Sequence, residues 1–132
     1  LDNLKQLGHK IQYDKESNCY YIENVTFAGE RWNLCQFEFY KDTLALVGFG
    51  LLSDNEDVVD LYNRNLENVK TKYSEIEGKM TSDNQNCKLC YFDDGIVVLS
   101  IGYKIEEGNH GCLIYQSKKL INHMHEDAYN NI

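Results

Sequence analysis

Residues 53–77 read SDNEDVVDLYNRNLENVKTKYSEIE, and the fold turns on how this stretch is taken. Apolar side chains recur at Val58, Tyr62, Leu66, Val69, Tyr73 and Ile76, with spacings of 4, 4, 3, 4 and 3. That is one face of an α-helix. Ser53 is suited to an N-cap, and Glu56 stands where a capping-box partner would reach back to it. Asp54, Glu56, Asp57 and Asp60 crowd the front, where the helix dipole favours carboxylates. Gly78 follows as a stop. The spacing predicts one long helix over about 54–77, apolar on one side only, which must bury that side on something else.

The flanks supply it. Residues 20–27, 31–40 and 43–52 precede the helix, and 87–92, 96–105 and 112–116 follow it. All are rich in aromatic and β-branched residues and are bounded by turn residues. Lys41-Asp42 reads as a two-residue connection, and Asp93-Asp94-Gly95 as a hairpin turn. Leu1, Leu4 and Leu7 suggest the end of a helix before Gly8, and residues 117–125 a short C-terminal helix, with a frayed tail over 126–132. Residues 9–19 and 79–86 are polar and read as loops. The expected order is α-βββ-α-βββ-α. The fold class is α+β: a mostly antiparallel sheet of five or six strands, with the long helix on one face.

At 132 residues the chain fits a single domain spanning 1–132 and can bury a core without staples. It contains no proline, where average usage of about 5 % predicts roughly six or seven. No proline-rich linker, low-complexity tract or convincing internal repeat is visible. The net charge of −8 is spread along the chain: 5 basic against 7 acidic residues over 1–50, 4 against 8 over 51–86, and 4 against 6 over 87–132. No segment has the clustered Lys/Arg that a nucleic-acid groove or an anionic membrane surface requires. No apolar run reaches the length of about 18 that a membrane-spanning helix needs. The chain begins at Leu1 rather than methionine, so residues are expected upstream. A signal removed there would place the protein in the envelope or periplasm; otherwise it is cytoplasmic.

Chemistry-bearing motifs are sparse. Cys87 and Cys90 have C-x-x-C spacing, but on a strand they point to opposite faces, and no second pair completes a zinc site. With Cys19, Cys35 and Cys112 they read as small buried apolar groups. His123 and Asp127 are i and i+4 on a helix, a spacing that can share an ion, but no second cluster accompanies them. No G-x-S-x-G, phosphate-loop or EF-hand pattern occurs. Asp93-Asp94, Glu106-Glu107 and the Asp54–Asp60 cluster have local roles in turns and caps. Gly48 and Gly50 suggest a bulge or close packing. Asn24-Val25-Thr26 matches a glycosylation sequon by composition. No catalytic residue, metal or cofactor is expected. The candidate site is an aromatic surface of Tyr21, Trp32, Tyr40 and Tyr103 on the sheet face that the helix leaves uncovered.

The run Cys35-Gln36-Phe37-Glu38-Phe39-Tyr40-Lys41-Asp42-Thr43-Leu44 leads into a helix carrying Val69-Lys70-Thr71-Lys72-Tyr73. It is followed by Asp94-Gly95-Ile96-Val97-Val98-Leu99-Ser100-Ile101 and Gly111-Cys112-Leu113-Ile114-Tyr115. Over about 35–116 this resembles small α+β domains of bacterial envelope proteins and lipoproteins. The resemblance implies an export-linked, non-enzymatic domain that binds a protein or an envelope component. The −8 charge and five thiols suggest an alternative: a cytoplasmic acidic binding or inhibitor protein, of the immunity kind, with a basic partner.

Overall fold

The computed structural model describes residues 10–16, 18–54 and 57–130. In it the decisive stretch forms one helix, α1 (Val58–Lys72). Its N-cap is Asp57, whose carboxylate accepts the backbone N–H groups of Val59 at 3.0 Å and Asp60 at 3.2 Å. Ser53, expected to be the cap, is instead the last residue of an eleven-residue strand. The helix stops at Tyr73, whose N–H still reaches the Val69 carbonyl at 2.7 Å. The predicted span of 54–77 is therefore long at both ends.

Four strands precede α1: β1 (Gln12–Asp14), β2 (Cys19–Phe27), β3 (Glu30–Tyr40) and β4 (Thr43–Ser53). Four follow it: β5 (Lys79–Asn84), β6 (Cys87–Asp93), β7 (Val97–Ile105) and β8 (Asn109–Ser117). A second helix, α2 (Lys118–Asn130), closes the order. Ser117 Oγ accepts the Leu120 N–H at 3.3 Å and caps α2. The expected α+β class and antiparallel sheet hold, but among the described residues the sheet has eight strands, in the order β1-β2-β3-β4-β8-β7-β6-β5. The two added strands, β1 and β5, are the sheet edges. They are short and polar, as edge strands are when they must not recruit other chains. The predicted helix over 1–8 lies outside the described residues.

Each set of four strands is an antiparallel meander followed by a helix, and the two meanders join through β4 and β8, themselves antiparallel. The strand order is thus the same read inward from either edge, but the helices break this symmetry: α1 packs on β7 and β8, and α2 meets β8 as well.

Register divides the sheet cleanly. On one face Cys35, Phe49, Leu113, Ile101 and Cys90 form a continuous row, and Phe37, Val47, Tyr115, Leu99 and Phe92 form the next. Val58, Leu61, Tyr62 and Val69 of α1 join this core. The helix comes closest at β8: a Cβ on Gly111 would lie 2.9 Å from the Leu61 side chain and 3.6 Å from Val58. Buried apolar area of this kind is the main source of stability in the fold.

The tip of the β2–β3 hairpin departs from the regular ladder. Asn24 takes a left-handed backbone (φ 54), and the Asn24–Asn33 rung is absent from the β2–β3 ladder. The Asn33 side chain instead accepts the Leu52 N–H at 2.6 Å. Beyond this point the hairpin turns toward the helix side. Phe27 stacks on Phe49 (4.2 Å between ring centres), Trp32 packs on the same ring, and Glu30 forms a two-pronged ion pair with Arg64 of α1 at 2.7 and 3.1 Å.

Candidate functional site: the sheet face opposite the helix

Alternation sends the other half of the strand residues to the face away from α1. Its centre is apolar and part-exposed: Leu34, Leu46, Ile114, Val98, Leu89 and Tyr91 stand on five neighbouring strands. Among them lie Gly48, Gly50 and Ser100. A Cβ on Gly50 would meet nothing within 4 Å, and one on Gly48 only ordinary contacts at 3.7 Å. The expectation of a bulge or tight packing at these glycines is therefore not met. The β3–β4 bulge falls at Glu38/Phe39, and the two glycines leave a shallow trough along β4. Gly102 differs. Leu89, the Lys88 carbonyl and Cys112 crowd it at 2.8–3.2 Å, so the sheet is filled there.

Charge is unevenly placed on this face. The β1–β3 side presents Asp14, Glu23 and Glu38, each in register with the central rows. The far side carries Lys79, Lys104 and Asp93, with Lys104 paired to Glu106 and Asp93 to Lys118, each at 2.7 Å.

The four aromatic candidates do not share one surface. Tyr21 is on the face opposite α1, half-buried, with its hydroxyl donating to Gln12 Oε1 at 3.0 Å. Tyr40 stands at the β3–β4 turn, with the Lys41 ammonium 5.1 Å from its ring centre. Trp32 and Tyr103 are in the core beneath α1. Trp32 Nε1 donates to the Phe27 carbonyl at 3.1 Å. The Tyr103 hydroxyl donates to the Gln85 carbonyl at 3.0 Å, and its ring meets Tyr62 edge-on at 5.4 Å. Trp32 is turned inward by the break at Asn24 and Asn33, which has no strong signal in the chain. Tyr103 was legible: Leu99, Ile101 and Tyr103 alternate with Ser100, Gly102 and Lys104. The same alternation marks Leu34, Leu46 and Ile114, which an aromatic criterion passes over.

The remaining polar groups have structural duties. Asp93 accepts the Gly95 N–H at 2.8 Å and the Lys118 ammonium at 2.7 Å. Asp94 accepts the Ile96 and Val97 N–H groups, each at 2.8 Å. Lys118 and the Gly95 N–H hold the Asp93 carboxyl below its ordinary range, and the Val97 and Ile96 N–H groups do the same for Asp94. Glu106 is lowered by Lys104. None of the five cysteines is in a disulfide, and Cys87 and Cys90 do point to opposite faces. Burial raises the Cys35 thiol to about 11 and pushes Cys90 and Cys112 upward. These three are protonated and poorly nucleophilic at neutral pH. Among the described residues no three His, Cys, Asp or Glu side chains gather to hold a metal, and no helix is long and apolar enough to cross a membrane. The Asp127 side chain of the His123/Asp127 pair lies outside the described residues. Comparison with known proteins finds no family model, no curated protein and no solved structure that matches the chain.

Proposed function

We propose that this domain is a non-catalytic binding module that holds another protein on the sheet face opposite α1. The observation that carries this reading is the composition of that face: a part-exposed apolar centre around Ile114 and Leu46, flanked on one side by Asp14, Glu23 and Glu38. An apolar centre excludes water and supplies affinity, whereas flanking charge selects and steers the partner. The partner that fits places an apolar anchor in the β4 trough and basic side chains over β1–β3.

The resemblance to bacterial envelope domains supports an export-linked protein whose partner is an envelope protein or component. One observation favours the second reading, a cytoplasmic acidic inhibitor of a basic protein: none of the five cysteines is in a disulfide, as is usual for reducing compartments.

A photo-crosslinking residue at Ile114, introduced in the organism of origin, is expected to capture one discrete protein with a basic surface. The same group at Asn68, exposed on α1, is expected to capture none. Adding Glu23→Lys and Glu38→Lys should reduce the Ile114 adduct at least several-fold. Equal adducts from both positions, or an adduct indifferent to the two reversals, would count against the proposal. The compartment of the captured protein separates the two readings.

A further inference from the structure

A second concave site lies on the helix side, away from the face just described. The last turns of α1, the connection over 73–78 and strands β5–β6 enclose a cleft of about 450 Å³, a volume within the range of small-molecule sites. Its floor is apolar: Cys90 and Phe92 are buried there, with Leu66 and Ile76 beside them. Gly78 lies against this floor so closely that a Cβ would come within 2.7–2.9 Å of Phe92 and Cys90. Two polar groups in the lining have unused capacity. The Tyr62 hydroxyl, on a side chain only 4 % exposed, reaches the Met80 sulfur at 3.8 Å, and a thioether is a weak acceptor. Lys70 is on the rim and forms no ion pair among the described residues. Its position in the last turn also suits the helix dipole. Its charge nonetheless reaches Cys90, where it opposes the upward push of burial on the thiol.

We propose that this cleft binds a small amphipathic carboxylate, with its apolar chain on Cys90 and Phe92 and its headgroup on the Lys70 ammonium. An apolar floor favours a hydrocarbon body, and an unpaired ammonium at the rim favours an anion over a neutral or cationic head. Glu77, on the connection to β5, also lines the cleft and repels a carboxylate from its own part of the rim. That leaves Lys70 as the headgroup position. Tyr62 offers a further donor deeper in the cleft.

Sodium decanoate and decanol are the probes, titrated into the full chain and followed by backbone NMR shifts. Decanoate is expected to produce saturable shifts centred on Gly78, Met80 and Cys90. Decanol should bind at least tenfold more weakly. Lys70→Ala, a change at an exposed position, should weaken decanoate at least tenfold, and Lys70→Arg should restore most of it. Absence of saturable shifts, equal affinity for decanol, or shifts centred on Ile114 on the opposite face would overturn the proposal. None of these results bears on the protein-binding reading, which concerns the other side of the sheet.

Discussion

Replacing Trp32 by alanine is expected to destabilise the domain by about 3–5 kcal/mol, the usual range for removing a buried tryptophan. Trp32 is 2 % exposed. Its ring packs against Phe49, and its Nε1–H holds the Phe27 carbonyl at 3.1 Å. Alanine removes the packing, opens a cavity and leaves that carbonyl without its side-chain donor. The loss also undoes the docking of the β2–β3 tip on α1, because Glu30, which pairs with Arg64, sits two residues before Trp32. Tyr21→Phe, on the same hairpin but on the face opposite α1, removes the hydroxyl alone and should cost no more than about 1 kcal/mol, the net worth of its hydrogen bond to Gln12. Urea denaturation of both variants decides the matter. A Trp32→Ala cost under about 1 kcal/mol would mean that the tip is not seated on the core as described.

The second large effect is at Ile101, which is wholly inaccessible (0 % exposed) and lies in the row between Leu113 and Cys90 under the helix. Ile101→Val should cost about 0.5–1.5 kcal/mol and Ile101→Ala about 2–5 kcal/mol. The grading matters more than either value, since it follows the volume removed from a close-packed interior. Ile114 stands one residue along the adjacent strand, on the opposite face, and is only half-buried. Ile114→Ala should therefore cost clearly less than Ile101→Ala. Equal costs at the two positions would show that both sheet faces are covered alike.

The helix and the antiparallel strands were legible because each buries one side, and a one-sided element writes its period into the chain: 3–4 for Val58 to Val69, 2 for Leu99, Ile101 and Tyr103. The ends of the helix were less so. Ser53 and Asp57 are equally able to cap, and what decides between them is that Ser53 pairs with Asn109 as part of β4, a contact made far away in sequence. β1 and β5 were missed because an edge strand needs little apolar content. In Lys79–Asn84 only Met80 is a large apolar residue, and it is itself 42 % exposed. The candidate face was legible as the side opposite the helix, but its members were not. Selecting aromatic residues found Tyr21 and took in Trp32 and Tyr103, which the core claims. It overlooked Leu34, Leu46 and Ile114, which mark the face by alternation. The inward turn of Trp32 depends on Asn24 and Asn33, two polar residues whose backbone role emerges only when β3 meets Leu52 of β4.

The central claim is that the sheet face opposite α1 is open to a partner. Methyl NMR with a soluble gadolinium chelate tests it most directly. The methyl signals of Leu34, Leu46, Val98 and Ile114 should broaden strongly, while those of Val58, Leu99, Ile101 and Leu113 stay sharp. Ile114 and Leu46 signals as protected as those of Ile101 would contradict the claim, because a covered face has no room for a partner.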